Sequence, residues 1–93
     1  MDKVVFRKFE DRNIIAIFPR IPGTSDPYTC ESYMHIGQHG SCDPYYLVYI
    51  TKLATPEEYA PLLEELRSIG YELDIKKRIT KFDLEFRKQS IKE

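Results

Sequence analysis

Residues 4–18 read Val4-Val5-Phe6-Arg7-Lys8-Phe9-Glu10-Asp11-Arg12-Asn13-Ile14-Ile15-Ala16-Ile17-Phe18. Two β-branched and aromatic runs, 4–9 and 14–18, flank four polar residues. This is the pattern of two strands joined by a short turn, most simply a hairpin. Working outward, residues 19–29 hold three prolines and a glycine, a composition that suits an irregular loop and opposes a central strand. Residues 30–36 read as a third strand, ended by a turn at Gly37-Gln38-His39-Gly40 whose glycines can take positive φ. Residues 45–51, Tyr-Tyr-Leu-Val-Tyr-Ile-Thr, are almost wholly aromatic or β-branched and predict a fourth, buried strand.

At Thr55 the period changes. Thr55 supplies an N-cap hydroxyl, Pro56 suits the first helical position, and Glu58 closes a capping box. Tyr59, Leu62, Leu63, Leu66 and Ile69 then recur at spacings of three and four, forming one apolar stripe against a charged face of Glu64, Glu65 and Arg67. Pro61 removes a helical hydrogen bond, so a kink or a two-step start is expected. Gly70 provides the stop. Residues 71–80 alternate apolar and polar and predict a last strand, reached by a helical crossover and expected to run parallel to a strand already in the sheet. The order β-β-β-β-α-β makes an α+β domain of residues 1–80: a small, mainly antiparallel twisted sheet with one helix packed on a face. Residues 81–93 form a charged C-terminal tail, helical or frayed.

The 93 residues suffice for one core and not two. With 42% hydrophobic and 13% aromatic residues, the chain can offset its entropy by burial. The longest apolar runs fall far short of the roughly 20 residues that cross a bilayer, and no signal-like stretch follows Met1. No membrane association and a cytoplasmic location are expected. A net charge of −1 offers nucleic acid no overall footprint. The distribution is uneven, however: residues 1–75 carry seven basic and twelve acidic groups, residues 76–93 seven and three. Contact with nucleic acid through this basic strip is therefore one reading. Cys30 and Cys42 are expected to be free thiols.

Chemistry-bearing residues concentrate between 28 and 46. Cys30, His35, His39 and Cys42 form C-x4-H-x3-H-x2-C, four competent zinc ligands whose spacing matches no common finger. Cys30 and His35 also stand an odd number apart, so a regular strand sends them to opposite faces. The same residues offer a thiol nucleophile with a histidine base, or a pair of acid–base histidines. These keep a small histidine- or metal-dependent phosphodiesterase or nucleotide hydrolase as the enzymatic alternative. The density of hydroxyl, amide and imidazole groups among glycines fits ligand recognition better. The expected contacts are Tyr28, Tyr33, His35, Gln38, His39 and Asp43, with Lys76 and Arg78 holding phosphate if the ligand is nucleotide-like. No cofactor is expected, zinc being the alternative, and a homodimer could form through a free strand edge.

The run Ser32-Tyr33-Met34-His35-Ile36-Gly37-Gln38-His39-Gly40, with Ile14-Ile15-Ala16-Ile17-Phe18-Pro19 before it and Ala54-Thr55-Pro56-Glu57-Glu58-Tyr59 after it, resembles a family of small uncharacterised proteins of bacteriophages and other mobile elements. The likeness covers most of residues 4–80, and Cys30, Cys42 and Pro61 depart from the pattern. It implies a non-enzymatic binding module, such as a counter-defence inhibitor that engages a host immune protein or sequesters a nucleotide-like signal. This is an expectation by analogy.

Overall fold

A computed structural model describes residues 1–35 and 37–92. Strands β1 (Asp2–Lys8) and β2 (Ile14–Pro22) form the expected hairpin, in antiparallel register from Val5 opposite Ile17 to Lys8 opposite Ile14. Its turn is closed by Phe9 N–H to Asn13 O and Arg12 N–H to Phe9 O, both 2.9 Å. Arg12 takes φ +73°, the left-handed position of a three-residue hairpin loop that ordinarily selects glycine.

Strands β3 (Cys30–Met34) and β4 (Gln38–Cys42) extend the sheet. Strand order is β4-β3-β2-β1, and the far edge of β1 is shared by antiparallel β5 (Lys52–Leu53) and parallel β6 (Leu73–Ile75). The α+β class, the mainly antiparallel sheet and the parallel last strand are as the sequence implies.

Several boundaries differ. The proline-rich stretch expected as loop continues β2 to Pro22, because its register shifts between Phe18 and Pro22 and an irregularity spares proline the ladder N–H it lacks. The expected third strand ends at Met34, and the Ile36 at its predicted end lies outside the described residues. Gln38, His39 and Gly40 belong to β4, not to a turn. The long last strand is only three residues.

The main correction concerns residues 45–51, expected as a buried strand. They fall in helix α1 (Pro44–Ile50), capped by Asp43 Oδ1, which accepts from Tyr45 N–H at 3.0 Å and Tyr46 N–H at 3.3 Å. Across the fold, Arg7 of β1 donates to Val48 O, Thr51 O and Thr51 Oγ1 at 2.7 to 3.0 Å. Val48 O and Thr51 O are orphan carbonyls of the helix C-terminus. Capping at both ends holds a seven-residue helix that its propensities disfavour.

Helix α2 (Pro56–Ser68) starts with the anticipated capping box and runs as one element through Pro61. Gly70, at φ +106°, ends it. Its Leu62 and Leu66 bury against Val4, Phe6, Ala16 and Phe18. Phe6 stacks on Tyr59 at 4.4 Å, and Phe18 on Tyr71 at 5.1 Å. Alternate residues Ile15 and Ile17 point the other way and meet Leu47 of α1.

That second face also receives helix α3 (Lys81–Lys92), formed by the predicted tail as far as it is described. Asp83 and Arg87 of α3 are fully buried. Asp83 accepts from Lys3 Nζ (2.7 Å), Arg20 Nε (2.9 Å) and Thr80 N–H (2.8 Å). Arg87 donates to Pro27 O at 2.9 Å and to Pro19 O. Among the described residues α2 is the helix expected on one face, and α1 and α3 add two on the other.

Candidate functional site

The tip of the β3–β4 hairpin gathers much of the predicted chemistry. Tyr33 pairs in register with His39, and Met34 with Gln38. Tyr33 and His39 meet edge-to-face at 4.7 Å. Tyr33 is buried at 2% exposure within the α2 core. Its hydroxyl donates to Glu65 Oε2 of α2 and accepts from Gly37 N–H at 2.9 Å. The hydrogen bond to the Glu65 carboxylate and the burial both raise the Tyr33 pKa. Tyr33 is therefore a structural pin and cannot stack on a ligand base without leaving the core.

The histidines are held outward. His35 Nδ1 lies 2.5 Å from Glu65 Oε1, and His39 Nδ1 lies 3.5 Å from Glu31 Oε1, while the two side chains stay 67% and 50% exposed. A carboxylate on Nδ1 fixes ring orientation and leaves Nε2 as the nitrogen facing a ligand. They do not share one cavity. His35 and Gln38 line a groove of about 490 Å³ with Arg12, Asn13, Met34, Glu58 and α2 residues. His39 lines another of about 670 Å³ with Gly37, Gly70 and Tyr71.

Arg12, which sequence reasoning treated as mere turn, also lines a third groove of about 430 Å³ with Phe9, Tyr49, Ile50 and Lys52. Arg12 thus borders both the His35/Gln38 groove and the one that Tyr49 of α1 lines. On α1, Tyr45, Tyr46 and Tyr49 are 44%, 59% and 86% exposed, an unusual amount of aromatic surface on one short helix. The legible signal was the left-handed position that a short hairpin turn imposes and that arginine fills at a cost. Glu65, the anchor of Tyr33 and His35, looked like one more solvated helix charge.

Other predicted residues lie apart. Asp43 is spent on capping α1. Tyr28, in the 23–29 loop, is 56% exposed with Lys88 Nζ 5.8 Å above its ring. Lys76 and Arg78 line a separate cleft of about 300 Å³ with Lys3, Arg20 and Lys77. The groups expected to read a nucleotide base and those expected to hold its phosphate thus occupy different surfaces.

Cys30 and Cys42 are register partners at the opposite end of the hairpin, with Sγ atoms 3.6 Å apart. Cys30 packs on the Ile15/Ile17 face, whereas Tyr33 packs on the α2 face. The C-x4-H-x3-H-x2-C set is split along and across the sheet, and no group of three His, Cys, Asp or Glu residues converges to hold a metal among the described residues. Nor is any helix among them long and apolar enough to cross a membrane. No family model, curated protein or solved structure matches this chain.

Proposed function

We propose that this protein is a non-enzymatic binding module that engages a protein partner through the surface running from Tyr49 across Arg12 to His35 and Gln38. The observation that carries this reading is that Arg12 lines both grooves, linking the exposed Tyr49 to Gln38 and to the His35 ring that Glu65 orients. Tyrosine and arginine supply most of the energy at protein interfaces, since each buries a large rigid area while keeping directional polar groups. Arginine held at positive φ costs folding energy, and such strain is retained where the side chain's placement matters. The resemblance to small phage and mobile-element proteins makes a host protein the partner, with counter-defence as the biological setting.

The test is capture from host lysate by wild type, Tyr49→Ala and Arg12→Gly, followed by a binding measurement with the purified partner. Arg12→Gly relieves the φ penalty, so its melting temperature should hold or rise. Its affinity should nevertheless fall by at least tenfold, and that of Tyr49→Ala likewise. Equal capture by all three proteins would exclude this surface. Heat protection of wild type by nucleotides with no protein captured would move the function to a small ligand.

A further inference from the structure

The cysteines lie outside the binding surface, and their arrangement exceeds what packing requires. Cys30 and Cys42 face each other directly across β3 and β4. Register partners in an antiparallel pair have Cα atoms about 4.5–5.5 Å apart, inside the span of about 4.4–6.8 Å that a disulfide bridges. The sulfurs stand 3.6 Å apart, so side-chain rotation can close the remaining gap without moving either strand. Access is asymmetric: Cys30 is fully buried, Cys42 only half so.

The surroundings favour reaction at Cys42. Arg87 is fully buried, and its Nη2 has no hydrogen-bond partner. Its positive charge acts on both thiols, favouring the thiolate, while Asp43 opposes it. The thiol–thiol contact splits the pair. The hydrogen bond with Cys42, then burial, pushes Cys30 far up. The hydrogen bond from Cys30 lowers Cys42 despite burial, with Ser32 assisting. A half-exposed cysteine 3.6 Å from a buried one, with its pKa the lower of the two, is the layout of an attacking and a resolving cysteine.

We propose that Cys30 and Cys42 form a dithiol–disulfide site, at which a low-molecular-weight disulfide of the glutathione class closes a covalent clasp across the β3–β4 hairpin. The Cys42 thiolate attacks one sulfur of the small disulfide, forming a mixed disulfide and expelling one thiolate, which takes up a proton. Cys30 then gives its proton to solvent and attacks Cys42 Sγ, expelling the second thiolate. Two electrons leave the protein, and two small thiols are released. The clasp ties the base of the hairpin whose tip carries His35 and Gln38, and an excess of small thiol reopens it.

The experiment is intact-mass analysis of reduced full-length protein incubated with excess oxidised glutathione, with alkylation of the remaining thiols. Expected is a monomer lighter by about 2 Da, with no alkylatable thiol, a Cys30–Cys42 cross-link in the peptide map, and full reversal by dithiothreitol. Cys30→Ser should stop at a glutathione adduct on Cys42. Should that variant fail to fold, the wild-type peptide map is decisive by itself, because the mechanism requires the Cys30–Cys42 cross-link as the end product. A stable glutathione adduct on wild type, a disulfide-linked dimer, or two thiols still alkylatable after the incubation would each overturn the proposal.

Discussion

The two faces of the sheet are held in different ways. Under α2, Val4, Phe6, Ala16, Phe18, Leu62 and Leu66 exclude water with stacked Phe6–Tyr59 and Phe18–Tyr71 pairs at the rim. That attraction is non-directional and scales with apolar area. Under α3, a buried carboxylate takes three donors and a buried guanidinium takes two carbonyls. Burying such groups costs more with each partner lost, and Arg87 already keeps one nitrogen unpaired. One face should therefore fail gradually with lost volume, the other abruptly with lost pairing.

The largest effect should come from Asp83→Ala. It leaves the nearly buried Lys3 ammonium without its counter-charge, an imbalance of about 3–5 kcal/mol. Urea denaturation would measure it, and amide exchange should show α3 loosening before β1 and β2. Leu66→Ala on the opposite face should cost about 2–5 kcal/mol through lost burial and the cavity left behind, with every protected amide of the sheet affected together. If Asp83→Ala costs no more than a surface change, or if α3 and the sheet loosen in step after both substitutions, the contrast between faces is wrong.

Acid should discriminate next. Burial pushes the Asp83 carboxyl up, but Lys3, Thr80 N–H and Arg20 outweigh it and hold its pKa below the ordinary value. Across the molecule, the Lys8 ammonium, with the Thr55 cap, depresses Glu58 to about 2. Both folded values lie below the unfolded ones, about 3.9 for Asp and 4.3 for Glu. Their stabilisation is therefore complete above those unfolded values and is lost as pH falls through the folded ones. Stability of wild type should fall between about pH 4 and pH 2, and Glu58→Gln should flatten part of that slope. The smallest effect expected is Thr55→Ala, about 1 kcal/mol from one lost cap, confined to the start of α2 in exchange measurements.

Legibility followed locality. The β1–β2 hairpin, the Thr55 capping box and the Gly70 stop are decided within a few residues, and each stands where the pattern put it. The Tyr45 to Ile50 run misleads because its β propensity is outweighed by Asp43 before it and by Arg7, 41 to 44 positions from the carbonyls it caps, closing its far end. The Asp-Pro pair at 43–44 was a local helix-start signal, but nothing local announces Arg7. In the candidate site, Tyr33, His35, Gln38 and His39 do cluster at one hairpin tip. Their division into a buried pin and two outward rings depends on Glu31 and Glu65, whose positions only folding supplies.

By itself, then, the sequence determined a one-core α+β domain with a leading hairpin, a capped helix on one face and a parallel last strand, because periodicity, caps and turns are written in neighbouring residues. Tertiary structure alone decided that the basic C-terminal strip folds into a helix around Asp83 and Arg87, that Tyr45, Tyr46 and Tyr49 face solvent, and that Arg12 joins two grooves. Each of those outcomes rests on partners far apart in the chain. Buried ion pairs, long-range caps and shared grooves are properties of three-dimensional distance, and sequence spacing carries no measure of it.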